Sequence, residues 1–201
     1  MLASGTGTNL QALMDDPHVG PHIVVVLSDR PDAMALERAR SRGIEALVCS
    51  PKDFPDRPAH DRAVRDLLLE RGITHVALAG YMRIVGPELI AAFPDRIVNL
   101  HPALLPAFPG MHAVEDALAW GVKVTGVTVH LVDEEVDHGP IVAQEPVRVR
   151  EGDDADSLRE RIHETEHRIF PRAVRALIEG RLRVEGRIVH IEGTQDEEGD
   201  G

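Results

Sequence analysis

The sequence predicts an α/β protein with a mostly parallel β-sheet and helices on both faces, followed by an antiparallel strand pair, a long helix and a C-terminal hairpin. Short apolar runs alternate with helical stretches through the first two thirds of the chain, which is typical of parallel βαβ units. The pattern changes near residue 126, where two runs of alternating polarity flank an acidic turn. A glycine-rich turn near the start joins the first apolar segment to a helix. Together these patterns favour a Rossmann-like sheet.

The first half of the chain supplies the predicted parallel strands and their helices. Buried strands are predicted at His22–Ser28, Ala46–Cys49, His75–Ala79 and Arg96–Leu100. Helices are predicted at Ala33–Ser41, Pro58–Arg71, Pro87–Ala92 and His112–Trp120. A doubly wound sheet also needs a central first strand, for which Met1–Ala3 is short, since strands usually run to about 5–6 residues. We therefore expect the natural gene product to begin a few residues upstream.

The second half predicts antiparallel strands and one long helix. The strand pair and the closing hairpin are predicted at Gly126–Val132, Ile141–Val149, Leu182–Val184 and Arg187–Ile191. Asp133–Gly139 connects the pair, and Glu185-Gly186 turns the hairpin. Asp154 is a suitable N-cap for a helix that reaches about Leu177, with a kink at Pro171.

Length and composition predict one domain, 1–193, followed by a disordered acidic tail, 194–201. The net charge of −12 argues against a nucleic-acid partner, although much of it lies in two short stretches, so anionic small molecules are not excluded. The single cysteine, Cys49, excludes an internal disulfide and a multi-cysteine metal site. The longest apolar run, Ile23–Leu27, is too short to span a bilayer, and no signal peptide is visible. We therefore expect a cytoplasmic protein without a membrane partner.

Asn99 and His101 are the strongest candidates for chemistry. They lie two apart at the end of a predicted strand, so their side chains point to one face, at the edge where open α/β sheets bind ligands. Three prolines follow closely and exclude a helix there. An amide donor beside a histidine suits a developing oxyanion. The alternative is a strand end that happens to carry two polar residues.

The first glycine turn runs from Ser4 to Leu10 and leads into a helix beginning near Asn9. A helix N-terminus offers N–H groups to a phosphate, which would lie on Gly7, Thr8 and Asn9. Leu10 occupies the third glycine position of the dinucleotide fingerprint, although Asp29 could mimic its ribose-binding acid. A mononucleotide or phosphate site is therefore favoured over a plain tight turn and over NAD.

Two loops have both a structural and a functional interpretation. Gly80–Val85 is either a loop packed on the core or a pocket for a flat heterocycle. Asp133–Gly139 is either a solvated hairpin end or the source of a carboxylate, Asp137, beside His101. A carboxylate within about 4–6 Å would raise the pKa of His101 and populate the imidazolium near neutral pH.

The stretch His163–His167 matches the zinc protease pattern H-E-x-x-H. Eleven histidines make a chance match easy, Pro171 follows soon after, and no clear third ligand is present. A solvated helix face or a substrate-binding role fits better, and no metal is predicted.

Five segments of this chain, in this order and spacing, resemble the folate-dependent phosphoribosylglycinamide formyltransferases of purine synthesis. They are Ser4-Gly-Thr-Gly-Thr-Asn9, Gly80-Tyr-Met-Arg-Ile84, Asn99-Leu-His-Pro-Ala-Leu-Leu-Pro106, Phe108-Pro-Gly110 and Asp137-His-Gly-Pro140. The resemblance runs into 163–171 and so covers nearly the whole chain. Ala103, where the family often has Ser, and His138, where Gly is common, are small departures.

The resemblance implies two substrate sites and no metal. Asn99, His101 and Asp137 would be catalytic. The residues implied for glycinamide ribonucleotide are Gly7, Thr8, Asn9, His163, Glu164, Thr165 and Glu166. Those implied for the co-substrate 10-formyltetrahydrofolate are Arg57, Met82, Arg83, Ile84, Val85, Asn99, Asp133, Glu134, Glu135, Val136 and Asp137. The nucleotide-binding half would be about 1–100 and the folate and catalytic half about 101–193, with a homodimer possible.

The expected reaction is direct attack of the substrate amine on the formyl carbon. Asn99 and His101 would stabilise the oxyanion, and Asp137 would keep His101 protonated. Alternatives are another formyl-folate enzyme, either a formyltetrahydrofolate deformylase or methionyl-tRNA formyltransferase, and a nicotinamide oxidoreductase.

Overall fold

The computed structural model describes residues 1–193; the predicted acidic tail lies outside the described residues. The strands are β1 (Val25–Ser28), β2 (Glu45–Val48), β3 (Val76–Ala79), β4 (Ile97–His101), β5 (Val124–Leu131), β6 (Ile141–Arg148), β7 (Leu182–Glu185) and β8 (Ile188–Ile191). The helices are α1 (Thr8–Asp15), α2 (Met34–Ser41), α3 (Arg57–Glu70), α4 (Pro87–Ala92), α5 (Ala113–Trp120) and α6 (Ala155–Ile178). This arrangement confirms the predicted α/β fold with its long helix and C-terminal hairpin.

The strand predicted at His22–Ser28 is shorter in the structure, where β1 covers only Val25–Ser28. The preceding residues, Gly20–His22, form a 3₁₀ turn that contains Pro21, which has no N–H to donate to a ladder. A second 3₁₀ turn spans Pro51–Asp53. The other predicted elements lie within about two residues of their observed bounds, as is usual for element ends.

The N-terminal segment lies at the centre of the sheet, as predicted. Leu2 bridges in parallel to Leu27 of β1 and to Leu78 of β3. It thereby joins the parallel pair β1–β2 to a six-stranded sheet with the order β3-β4-β5-β6-β8-β7. Leu2 is completely buried, so this short segment is also part of the core.

The sheet changes direction at β4, which places the candidate site. β3 and β4 are parallel, whereas β4–β5 and β5–β6 are antiparallel. β8 then pairs in parallel with β6 at one position, Ile141 with Ile188. The N-terminal end of β4 therefore lies beside the start of the loop that connects β5 to β6, whereas His101, at the C-terminal end of β4, pairs with Thr128 within β5.

The helix α6 covers the sheet behind β4, β5 and β6. Its N-terminus has a capping box, in which the Asp154 carboxylate accepts the Ser157 N–H at 2.8 Å and the Ser157 hydroxyl accepts the Asp154 N–H at 3.1 Å. The helix continues through Pro171, which is buried inside it. Its apolar face includes Ile162 and Phe170, both completely buried.

Replacing Phe170 with alanine is expected to lower the free energy of unfolding by about 3–5 kcal/mol, because it removes a fully buried ring from the main core. Urea unfolding followed by circular dichroism measures the change. Trp120→Ala is the matched control, since that side chain is 79% exposed and its loss should cost within about 0.5 kcal/mol. Equal effects of the two substitutions would contradict this account of the core.

Candidate active site

Asn99 and His101 end β4 as the sequence predicted, with both side chains on one face. Burial differs between them: His101 is only 4% exposed, and Asn99 is half-buried. The His101 Nε2 lies 2.8 Å from the Phe108 carbonyl oxygen, so the ring donates a hydrogen bond into the proline-rich loop that follows. Nδ1 is then the ring atom that faces the rest of the site.

The strand register adds His130, a residue that the sequence reasoning missed. His130 on β5 lies directly across the antiparallel ladder from Asn99. Its Nε2 lies 3.1 Å from Asn99 Nδ2 and 3.6 Å from Asp137 Oδ1, and its Nδ1 lies 2.8 Å from the Leu131 carbonyl oxygen. The available signal was the alternation in the second half of β5, where Thr128 and His130 are the polar residues between Val127, Val129 and Leu131.

Asp137 lies at the centre of this group. One carboxylate oxygen, Oδ2, accepts the Gly110 N–H at 2.7 Å and lies 3.4 Å from His101 Nδ1. The other, Oδ1, lies 3.4 Å from Asn99 Nδ2. The structure thus brings together the three residues implied to be catalytic and adds His130 to them.

The electrostatics of the pair Asp137 and His101 differ from the sequence expectation. Burial alone would raise the pKa of Asp137, but the nearby His130 ring, the hydrogen bond from the Gly110 N–H and the charge of His101 outweigh it and hold that pKa below its usual value. Burial lowers the pKa of His101, and the attraction of Asp137 offsets only part of this. The expectation of a raised His101 pKa was therefore wrong, because desolvation is the larger effect.

The four side chains border a cleft of about 350 Å³. Met82, Arg83, Ile84 and Val85 line one wall, and the residues from Asp133 to Asp137 line another. The side chains of Met82 and Ile84 are more than half exposed, although they are apolar. Such exposure favours a pocket wall over a loop packed on the core.

Arg57, by contrast, does not line the cleft. Its guanidinium donates to the Ile84 carbonyl at 3.2 Å and lies 3.4 Å from the Asp61 carboxylate. The hydroxyl of Ser4 donates to Asp29 at 2.5 Å and accepts the Met82 N–H at 3.0 Å. The contacts of Arg57 with Ile84 and of Ser4 with Met82 therefore both hold the loop that carries the apolar wall.

Asn9, His163 and Glu166 line the part of the cleft formed by α1 and α6. Asn9 Nδ2 donates to the Glu166 carboxylate at 2.8 Å, and His163 Nε2 lies 3.9 Å from the same oxygen. Burial raises the pKa of Glu166, although the bond from Asn9 opposes this. The buried Asn9 Oδ1 has no hydrogen-bond partner among the described residues, so it can accept from a ligand.

The remaining residues implied for the acceptor lie outside the cleft lining. Glu164 is exposed, and Thr165 is buried with its hydroxyl near the Arg161 carbonyl. Gly7 is the N-cap of α1 with a φ of 71°, and a Cβ there would lie 2.7 Å from Ala35 Cα. The packing of α1 against α2 therefore requires this glycine whether or not a phosphate binds at Gly7 and Thr8.

His163 and His167 stack with ring centroids 6.2 Å apart. Within 1–193, no group of three or more His, Cys, Asp or Glu side chains is placed to hold a metal ion. In the same range, no helix is both long and apolar enough to cross a membrane.

Comparison with known proteins identifies the family. The family model described as Formyl transferase matches residues 1–174. The phosphoribosylglycinamide formyltransferase of Mycobacterium tuberculosis is 47% identical over 190 residues, which cover 93% of this chain and 87% of that protein. The trifunctional purine biosynthetic protein adenosine-3 of Drosophila melanogaster is 44% identical over 90% of this chain, but the chain spans only 14% of that protein's length.

A solved structure agrees with these relatives. Glycinamide ribonucleotide transformylase 1 from Symbiobacterium toebii superposes with a TM-score of 0.91 and is 52% identical. The match covers 94% of this chain and 91% of that protein. The similarity therefore extends over the sheet, the cleft and α6.

Proposed function

The chain belongs to the phosphoribosylglycinamide formyltransferase family, and we propose that it transfers the formyl group of 10-formyltetrahydrofolate to the amine of glycinamide ribonucleotide. The observation that carries the proposal is the convergence of Asn99, His101 and His130 on Asp137 in one cleft. Residues implied for both substrates border that cleft, so amine and formyl group can meet there. A homodimer and a cytoplasmic location stay predictions.

The reaction needs no covalent enzyme intermediate. The amine nitrogen forms a bond to the formyl carbon, the carbonyl oxygen becomes negative, and the bond to the folate nitrogen then breaks. The amine loses a proton and the folate nitrogen gains one. Asn99 Nδ2 and the imidazolium form of His101 supply donors for the transient oxyanion. Both atoms lie 3.4 Å from an oxygen of the Asp137 carboxylate, so the two donors converge on one corner of the cleft.

The cleft walls fit the two substrates. The exposed apolar side chains of Met82 and Ile84 suit the flat ring system of the donor, and the loop Asp133–Asp137 offers polar groups opposite them. Glu166 and Asn9 suit the amine of the acceptor, because a carboxylate and an unpaired amide oxygen both accept N–H bonds. Gly7 and Thr8, at the start of α1, are proposed to hold its phosphate.

Glu166→Gln is expected to raise the KM for glycinamide ribonucleotide about 10- to 100-fold, the size of one lost hydrogen bond to a charged group. The KM for the formyl donor should stay unchanged, because Glu166 lies on the acceptor side of the cleft. Steady-state kinetics with each substrate varied in turn measure both. Glu164→Gln, on the exposed side of the same helix, is the matched control. A change confined to the KM of the donor would contradict the assignment.

The direct test supplies 10-formyltetrahydrofolate with and without glycinamide ribonucleotide and follows the appearance of deformylated folate. The proposal expects rapid turnover only with the amine, together with formylated ribonucleotide as product. Release of formate without the amine would instead indicate a deformylase. Formylation of methionyl-tRNA in preference to the ribonucleotide would also overturn the proposal.

A further inference from the structure

The segment Asp133–His138, named here the acidic loop, is fixed at both ends. The Val132 N–H donates to the Ile97 carbonyl at 2.9 Å, which ties the start of the loop to β4. Beyond its end, a Cβ at Gly139 would lie 1.8 Å from the Leu131 carbonyl oxygen, so the backbone there passes too close for a side chain. Between these two ends, contacts made by residues of the loop act together with the Gly110 N–H, which the Asp137 carboxylate accepts, to position Asp137.

One such contact comes from His138. Its Nδ1 lies 2.8 Å from the Asp133 carboxylate, so the ring bridges the two ends of the acidic loop. Asp137 has a φ of 53°, in the left-handed region that a non-glycine residue adopts only at a cost. A contact on the next residue helps to hold the chain in that conformation.

The second contact reaches the acidic loop from the C-terminal hairpin. Arg187 Nη2 donates to the His138 carbonyl oxygen at 2.5 Å, and its Nη1 lies 3.1 Å from His138 Nε2. Neutral His138 with its proton on Nδ1 satisfies both neighbours, because Nδ1 donates to Asp133 and Nε2 accepts from Arg187. The pairing of Ile188 with Ile141 explains how the turn of the hairpin comes to lie beside the end of the acidic loop.

We propose that Arg187 is a positioning residue, which acts through His138 and Asp133 to hold the acidic loop and its Asp137 in place. This inference rests on the proposed function of Asp137 and of the acidic loop in donor binding. Arg187 also places a positive charge next to a segment that contains Asp133, Glu134, Glu135 and Asp137. It lies beyond residues 1–174, the part of the chain that the family model matches.

The test compares Arg187→Ala with Arg183→Ala in the full chain. Arg187→Ala is expected to raise the KM for 10-formyltetrahydrofolate and to lower kcat, each about three- to tenfold, with no change in the KM of the acceptor. Arg183 lies on the same hairpin and pairs with Glu185 and Glu192, so its removal should leave all three constants unchanged. Arg187→Lys, which keeps the charge and one donor, should recover part of the loss. Equal behaviour of the two alanine variants would overturn the proposal.

A double-mutant cycle with His138→Gly separates a positioning effect from a general structural one. The glycine variant removes the ring but keeps the carbonyl that Arg187 contacts. The fold-losses of activity caused by Arg187→Ala and His138→Gly should combine to less than their product in the double variant, because both substitutions break the same series of contacts. If the two fold-losses multiply fully in the double variant, Arg187 does not act through the His138 ring. If Asp137→Ala keeps normal transfer while Arg187→Ala still raises the donor KM, the proposed role of Asp137 is overturned instead, and the positioning of the loop stands.

Discussion

Asn99→Ala is expected to lower kcat about 10²- to 10³-fold, because it removes one of the two donors proposed for the transient oxyanion. The KM values should change much less, since the donor is needed chiefly in the transition state. Asn99 is only half-buried at the end of β4, and the backbone ladder to β3 and β5 does not depend on its side chain. The fold should therefore survive the change.

Single-turnover kinetics of formyl transfer measure this loss directly. The matched control is Thr74→Ala, which alters an exposed polar side chain in the connection before β3. Thermal unfolding of both variants checks that the lower rate does not result from loss of folded protein. Near-normal transfer by Asn99→Ala and also by His101→Ala would contradict the proposed mechanism.

The sequence predicted that Asn99 and His101 lie together at one edge of the sheet, where the candidate site lies, because strand geometry alone relates the two residues. Two residues of one strand need no knowledge of the partner strand to be placed on one face. His130 could not be placed in the same way. Its position opposite Asn99 depends on the register between β4 and β5, which the sequence does not specify without the loop geometry between them.

The sign of the His101 pKa shift was unpredictable for a related reason. The sequence indicated a carboxylate beside the ring, and Asp137 is indeed 3.4 Å away. It did not indicate how completely His101 would be buried or that its Nε2 would be bound to the Phe108 carbonyl. Desolvation depends on everything packed around a group, so it can be judged only once the fold is known.

The contact between Arg187 and His138 joins residues 49 positions apart, and nothing in their local patterns relates them. His138 was visible only as a departure from the family pattern. Arg187 was one of many arginines in the chain. Helices and strands could thus be predicted where the local spacing of apolar residues determines them. Contacts between distant elements could not, because they depend on how the sheet is assembled.

Asp137→Ala is expected to lower kcat about 10²- to 10³-fold, because both the orientation and the charge of His101 depend on this carboxylate. The loss also leaves the Gly110 N–H without its acceptor. The pH dependence gives a sharper test. If protonated His101 is the active form, the rate falls as pH rises through the His101 pKa. Asp137 raises that pKa against the effect of burial, so its removal should move the fall to lower pH.

An NMR titration of the His101 ring in the wild type and in Asp137→Ala measures the same shift without turnover. The midpoint should lie at lower pH in the variant, since burial remains and the opposing attraction is gone. His75, in the connection before β3, serves as the internal control, and the pKa that burial lowers there should be the same in both proteins. A variant that loses activity while the His101 midpoint stays constant would show that Asp137 acts through His130 or Gly110 instead, since both also contact its carboxylate.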